Sequence, residues 1–252
     1  MLEYRQYSLA PVVSANACFR QLSPCDKLLA VLRCVQSVEE NGFAIVPQCL
    51  AEQMVEHLCS QVVYTKHAQR NLLDVPVVRE LAVSEPVKQL AAALLGKECF
   101  AVRGILFNKT PNANWKVVWH QDRTIAVRER KDVAHFGPWS VKAGVQHVQP
   151  PALVLAEMLA IRLHLDESHE GNGPLRVIPG SHKAGCLSAE EIATWRRRPS
   201  VTCIVPRGGG ILMRPLLVHA SSSSSKPEPR RVIHLEFAAH QLPNGLEWHD
   251  RV

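Results

Sequence analysis

The segment Trp119-His120-Gln121-Asp122 places an imidazole and a carboxylate two residues apart near the middle of the chain. In an extended segment, residues i and i+2 point to the same side, so His120 and Asp122 can bind one metal ion if that side lines a cavity. A third ligand must come from elsewhere, and His219, at the end of an apolar segment, is the best candidate. Two imidazoles and one carboxylate are typical ligands of non-haem Fe(II) and leave three coordination positions open.

Arg230 adds a second feature, because it stands eleven residues after His219 and begins the apolar segment RRVIHLEF. If the strands form a β-barrel, an arginine that enters a strand at this point can project into the same interior as the metal ligands. Its forked guanidinium binds a carboxylate through two parallel hydrogen bonds, which suits the distal carboxylate of 2-oxoglutarate. The alternative is that Arg230 and Arg231 only cap a surface turn.

The segments that must position these residues fall into two groups. The first part of the chain has helical periodicity, with Leu28, Leu29, Leu32, Val35 and Val38 on one predicted helix that stops at 41–42. Further helices are predicted at 51–67, 86–95 and 188–196, the last with a capping box. After residue 100 short apolar segments alternate with Gly- and Pro-rich turns, and Leu159–Asp166 alternates with period two, as strands do.

Helices followed by many short strands predict an α+β fold, with a helical layer packed on a β-sandwich or jelly roll. We expect one domain over residues 1–252, with a helical N-terminal layer at about 24–96 and a β-core at about 100–240.

The composition argues against several function classes. The net charge is +6 and the pI about 9.0, but the basic clusters are short and no nucleic-acid motif accompanies them. The eight cysteines form no Cys-x-x-Cys pair, and the first residues lack the apolar core of a signal peptide. No apolar run approaches the roughly 18 residues that a membrane span needs. We therefore expect a cytoplasmic protein with reduced thiols, no nucleic-acid or membrane partner and a small-molecule substrate.

The order His-x-Asp, distal His and Arg, with GNGPLRVIPGSHKAG between them, resembles the phytanoyl-CoA dioxygenase (PhyH-like) family of Fe(II)/2-oxoglutarate-dependent oxygenases. The resemblance extends from about Phe100 to Phe237, and NGPL-VIPGSH is its most specific part. It implies a double-stranded β-helix (jelly-roll, cupin-like) core and the cofactors Fe(II), 2-oxoglutarate and O₂, with ascorbate as a reductant in assays. The residues that it implies are, for iron, His120, Asp122 and His219, and, for 2-oxoglutarate, Arg230, Gln121 and Ser221.

Other polar residues are candidates for the pocket wall. Alternation places Arg162 and His164 on one side of a strand, and a buried charge is costly unless it is paired. We therefore expect Arg162 to bind either the 2-oxoglutarate carboxylate or an acidic substrate, unless this side is solvated. The segment 128–151 is predicted to be an irregular loop that contacts substrate or lies on the surface. The further candidates for the pocket are Phe136, Trp139, Lys109 and Trp115.

Together these features predict hydroxylation of an unactivated C–H bond in a small, anionic or polar metabolite, with release of succinate and CO₂. Two alternatives stay open at this point. The same ligands suit a zinc-dependent hydrolase, although such an enzyme needs no carboxylate anchor. A jelly-roll binding or regulatory protein that lacks turnover is the other alternative.

Overall fold

The computed structural model describes residues 23–62, 68–109, 114–225 and 228–252. The helices are α1 (Pro24–Asn41), α2 (Glu52–Gln61), α3 (Pro76–Val83), α4 (Glu85–Leu95), α5 (Ala152–Ala156) and α6 (Ala189–Trp195). The strands are β1 (Phe43–Val46), β2 (Ala68–Gln69), β3 (Phe100–Lys109), β4 (Val117–His120), β5 (Ile125–Val127), β6 (Trp139–Lys142), β7 (Val145–Val148), β8 (Leu159–His164), β9 (Leu175–Val177), β10 (Val201–Cys203), β11 (Gly210–Met213), β12 (His219–Ser221) and β13 (Arg230–Ala238).

Three antiparallel sheets form the β-part of the molecule. The major sheet has six strands in the order β1-β11-β8-β13-β3-β2, and the minor sheet has four in the order β10-β9-β12-β4. A third sheet, β5-β7-β6, is smaller. The first two sheets form the jelly roll, which confirms the predicted α+β fold class. The edge strands β1 and β2 come from the region predicted as the helical layer, so that layer and the core share one sheet.

Local sequence signals explain most helix ends. Ser23 accepts a hydrogen bond from the Asp26 amide at the start of α1, and Gly42 ends the helix with φ +86°, which favours glycine. Ser188 and Glu191 form the predicted capping box of α6. Helix α3 was missed by the sequence analysis, although proline opens it and its apolar side is buried.

Only part of the apolar pattern of α1 is buried. Leu28, Leu29 and Leu32, which have the predicted helical spacing, are 60%, 48% and 55% exposed. The buried side carries Cys34 and Val38 instead. Helical spacing alone could not separate the two sides, because apolar residues cover more than one side of this helix.

The segment 128–151 is not irregular throughout, because β6 and β7 form a hairpin within it. Ala143 and Gly144 both have positive φ, 51° and 81°, as a two-residue turn of type I′ requires. The side-chain amide of Asn71 donates a 3.2 Å hydrogen bond to the Ala143 carbonyl and so connects this turn to the end of β2. The hairpin is therefore attached to the edge of the major sheet.

The two sides of the major sheet have different surroundings. One side, which we call the outer face, packs against α1–α4 through apolar residues such as Ile161, Leu163 and Leu235. The other side, the inner face, points into the jelly roll. Within the described ranges no helix is long and apolar enough to cross a membrane.

Candidate metal centre

His120, Asp122 and His219 each offer one ligand atom, and these three atoms all lie within 4.8 Å of one another. Asp122 lies between the imidazoles, 3.8 Å from His120 Nε2 and 3.6 Å from His219 Nε2. The two rings are 4.2 Å apart between centroids. The structure thus brings together the three residues that the sequence predicted as metal ligands.

Strand pairing produces this convergence. β4 and β12 are antiparallel neighbours, and His120 lies directly opposite His219. The Asp122 amide donates to the Pro215 carbonyl, which holds the chain just beyond β4 beside the segment that leads to β12. The sequence analysis placed His219 at the end of an apolar strand, but His219 begins β12. The apolar residues before it form a turn, whose Val218 amide donates to Ser181 Oγ.

Both imidazoles have a defined tautomer. His120 Nδ1 lies 2.8 Å from the Val118 carbonyl, and His219 Nδ1 lies 2.8 Å from the Leu217 carbonyl. Because a carbonyl only accepts, each Nδ1 carries the proton and each Nε2 keeps its lone pair for a metal.

The charges around the ligands favour metal-binding protonation states. Burial lowers the pKa of His219 to about 4, so this imidazole is neutral near pH 7. Burial alone would raise the pKa of Asp122, but His219, His234 and His120 outweigh it and hold that pKa well below its usual range. The centre therefore offers two imidazoles and one carboxylate, which is the donor set that suits Fe(II).

The ligands face a cavity whose empty space, together with the solvent at its opening, is about 560 Å³. Its walls come from the inner face of the major sheet and from the minor sheet opposite. The residues that line it are Arg103, Ile105, Phe107, Lys109, Trp115, Val117, His120, Asp122, Arg162, Leu175, His219, Ala220, Ser221, Arg230, His234 and Glu236.

One end of the cavity carries the residues predicted to hold 2-oxoglutarate. Arg230 is 4% exposed and lies opposite Lys109 in the β13–β3 pair. The ammonium of Lys109 donates to Ser221 Oγ over 3.3 Å and to the Ser222 carbonyl. The pKa of Lys109 is lowered to about 8, mainly by burial and secondly by the positive charge of Arg230. Arg230 Nε has no hydrogen-bond partner in the described ranges, so this end can accept an anion.

Gly173 of the NGPL motif allows this packing. Its φ is +69°, and a Cβ at this position would stand 2.4 Å from the Ser222 carbonyl and 3.0 Å from Lys109 Nζ. A larger residue would therefore push apart the loop and the lysine at this end of the cavity.

Arg162 and His164 both lie on the inner face, as the alternation predicted. Arg162 lines the cavity and donates to His234 Nδ1 over 3.2 Å, while its Nε has no partner in the described ranges. His164 does not line the cavity. It is buried next to Val232, both of its ring nitrogens lack partners there, and burial followed by Arg162 keeps its pKa well below the usual range.

Three sequence predictions about the pocket need correction. Gln121 points away from the cavity, because its amide donates to the Gly185 and Leu216 carbonyls and accepts from the Leu187 amide. Phe136 and Trp139 are not among the lining residues and pack instead against an apolar cluster around the third sheet. Trp115, in contrast, lines the cavity as expected.

Sequence reasoning missed the charged residues at the other end of the cavity. Arg103 forms an ion pair with Glu236, and His234 Nε2 donates to the same carboxylate over 3.2 Å. The signal was present in β3 and β13, where residues with period two line the cavity. They are Arg103, Ile105, Phe107 and Lys109 in β3, and Arg230, His234 and Glu236 in β13.

The family model described as phytanoyl-CoA dioxygenase (PhyH) matches residues 61–232. Ectoine dioxygenase of Sphingopyxis alaskensis is 25% identical in an alignment of 208 residues that covers 73% of this chain and 59% of that protein. The chain thus spans less than two thirds of the length of this curated relative.

Solved structures share the fold. The apoform of EctD from S. alaskensis superposes with a TM-score of 0.61 and 20% identity, over 89% of this chain and 79% of that one. EctD has also been solved with 2-oxoglutarate and 5-hydroxyectoine. The 2-oxoglutarate-dependent carbocyclase SnoK from nogalamycin biosynthesis has a TM-score of 0.65 and 14% identity, over 94% and 95%. The family model covers more than half of the chain, and the chain therefore belongs to the phytanoyl-CoA dioxygenase family.

Proposed function

We propose that this protein is an Fe(II)- and 2-oxoglutarate-dependent dioxygenase that hydroxylates an unactivated C–H bond of a small anionic metabolite and releases succinate and CO₂. One observation carries the proposal. The Nε2 atoms of His120 and His219 and the Asp122 carboxylate lie within 4.8 Å of one another at the wall of a cavity that also contains the buried Arg230. A zinc hydrolase would need the ligands but not the buried guanidinium.

The residues of the chain have separate tasks in this reaction. His120, Asp122 and His219 would hold Fe(II), and Arg230 with Lys109 and Ser221 would hold the distal carboxylate of 2-oxoglutarate. When bound, the iron and the co-substrate supply the oxidising chemistry with O₂. The Nδ1 hydrogen bonds to backbone carbonyls keep both imidazoles oriented for the metal.

Arg162 is the second candidate for a co-substrate contact. It is 7% exposed, it faces the cavity, and its only direct polar contact in the described ranges is the His234 imidazole, which offers no negative charge. A buried guanidinium without a carboxylate is costly, and a bound anion would remove that cost. We infer that Arg162 binds 2-oxoglutarate or the anionic part of the substrate.

Charge balance supports an anionic substrate. Below pH 8 the cavity wall carries four cations, Arg103, Lys109, Arg162 and Arg230, against the carboxylates of Asp122 and Glu236. Fe(II) and the 2-oxoglutarate dianion would neutralise each other. An excess of two positive charges then remains, and a substrate with one or two negative charges would balance it.

The proposal is tested by succinate release from 2-oxoglutarate with Fe(II) and ascorbate, scored over a panel of anionic and neutral metabolites. We expect release that depends on iron and rises with anionic substrates. Asp122→Ala removes the anionic ligand and should reduce the rate at least a hundredfold. Asp132→Ala, which changes an exposed carboxylate, is the matched control.

Normal turnover by Asp122→Ala would contradict the ligand assignment. Absence of 2-oxoglutarate binding by the iron-loaded protein would contradict the proposed reaction and favour a hydrolase or a binding protein. A cytoplasmic location and the absence of nucleic-acid and membrane partners stay predictions.

A further inference from the structure

Three cations from three separate segments lie close together near the Arg103 end of the cavity, which we call its mouth, and we call them the mouth cluster: Arg70, Arg103 and Lys142. Gln69 pairs with Leu106 in the antiparallel β2–β3 ladder, so Arg70, the next residue, lies beside Ile105 of the cavity wall. Arg103 lines the cavity two residues further along β3. Two of the three cations thus belong to one edge of the major sheet.

The β6–β7 hairpin brings the third cation to the same place. Its turn is tied to the end of β2 by the hydrogen bond from Asn71 to the Ala143 carbonyl, next to Arg70 and Lys142. The ammonium of Lys142 donates to Thr124 Oγ1 over 3.0 Å, and Thr124 is two residues from Asp122. The hairpin therefore holds Lys142 between the sheet edge and the metal centre.

The mouth cluster carries more positive charge than its neighbours neutralise. Glu236 pairs with Arg103, but Arg103 Nε is buried without a hydrogen-bond partner in the described ranges. No ion pair within those ranges includes Arg70 or Lys142. The pKa of Lys142 is lowered, mainly by burial and then by the positive charges of Arg103 and Arg70. This shift agrees with a position of the three cations close together. The same three cations act with burial to lower the pKa of the buried His147 to about 4.

The mouth cluster is separate from the co-substrate end. Arg103 and Lys109 are six residues apart in β3, which corresponds to roughly 20 Å in an extended strand. A molecule of the size of 2-oxoglutarate that is anchored at Arg230, opposite Lys109, cannot also reach Arg103. The cations at the two ends must therefore serve different anions.

We propose that Arg70, Arg103 and Lys142 bind an oxyanion group of the substrate, a carboxylate or a phosphate, at the mouth of the cavity. The substrate then lies under the β6–β7 hairpin with its anionic end at the mouth and its reacting carbon towards His120 and Asp122. This orientation rests on the proposed function, whereas the oxyanion subsite needs neither iron nor 2-oxoglutarate.

The subsite is tested on metal-free protein, with inorganic phosphate and acetate as separate probes. Backbone amide signals of residues 142–144 are followed by ¹⁵N NMR during each titration. We expect saturable shifts in this turn with at least one probe, and the tighter probe identifies the oxyanion. Lys142→Gln and Arg70→Gln should each weaken that binding about tenfold, because each removes a charge-assisted hydrogen bond.

Two further variants make the result specific. Arg230→Gln should leave the shifts at 142–144 in place, because Arg230 lies at the other end of the cavity. Arg197→Gln removes an exposed arginine just after the end of α6, and this variant is the matched charge control. Shifts confined to the Arg230 end, or unchanged affinity at 142–144 in both Lys142→Gln and Arg70→Gln, would overturn the proposal. Failure of wild-type protein to release succinate would contradict the proposed function but leave this measurement intact.

Discussion

The outer and inner faces of the major sheet are built from the same strands but have opposite chemistry. On β8, Ile161 and Leu163 point outward into the apolar layer under the helices, while Arg162 and His164 point inward. On β13, Leu235 is on the outer face and both of its neighbours, His234 and Glu236, are on the inner face. All seven side chains are at least nine-tenths buried, so burial alone does not distinguish the two faces.

The difference concerns which face stabilises the fold and which face binds ligands. Burial of apolar side chains stabilises the folded state by about 1.5–3 kcal/mol for each large residue. Burial of charged side chains costs free energy unless partners compensate for the lost water. The inner face keeps guanidinium and imidazole nitrogens without partners in the described ranges, so we infer that ligands complete its hydrogen bonds.

The largest expected effect tests the outer face. Leu235→Ala removes a fully buried side chain and leaves a cavity between the sheet and the helices. We expect a loss of roughly 2–5 kcal/mol in the free energy of unfolding, measured in urea, with little change in 2-oxoglutarate affinity of the remaining folded protein. A loss below about 1 kcal/mol would show that the outer face is not the main stabilising surface.

The opposite pattern is expected on the inner face. Arg162→Met replaces a buried cation without a carboxylate partner by an apolar side chain of similar length. The free energy of unfolding should stay the same or rise by about 1 kcal/mol. The dissociation constant of 2-oxoglutarate, or of the anionic substrate, should rise about tenfold under anaerobic conditions with Fe(II). A large loss of stability with unchanged binding of both would reverse the proposed roles of the faces.

A smaller effect depends on pH. The pKa of Lys109 is about 8 in the folded protein against an ordinary value of 10.5, so between these values the unfolded chain binds more protons. The cost of burying the charge is fully present below pH 8 and disappears as the pH rises towards 10.5. Lys109→Met should therefore be more stable relative to wild type at pH 7 than at pH 10, by on the order of 1 kcal/mol. Thermal unfolding of both proteins across this range measures the difference, and a constant gap would contradict it.

The smallest effect concerns apolar residues outside both faces. Leu32 lies on α1 but is 55% exposed. Leu32→Ser should change the free energy of unfolding by no more than about 0.5 kcal/mol, the range usual for surface substitutions. A loss comparable to that of Leu235→Ala would mean that this side of α1 is covered in solution.

The convergence of His120, Asp122 and His219 could be predicted because residue type and spacing carry the signal, and period-two alternation correctly placed Arg162 and His164 on one face. By the same alternation Gln121, which stands between His120 and Asp122, should point to the opposite side from these two residues, and the structure shows that it does. The strand order and the attachment of the β6–β7 hairpin could not be predicted, since they depend on contacts between distant segments. For the same reason Phe136 and Trp139 were misplaced, and the cations of the mouth cluster could not be recognised as neighbours.

The position of β13 in the major sheet has a consequence for folding. This strand lies between β3 and β8, yet it begins at Arg230, so it is synthesised after both of the strands that it joins. β1 likewise pairs with β11, more than 160 residues later, and His120 meets His219 only across the β4–β12 pair. Such long-range pairing slows folding, because chain entropy is lost before the contacts form. The nascent chain must therefore keep two incomplete sheets without aggregating until β12 and β13 have been synthesised, and the candidate metal centre is completed only when β12 pairs with β4.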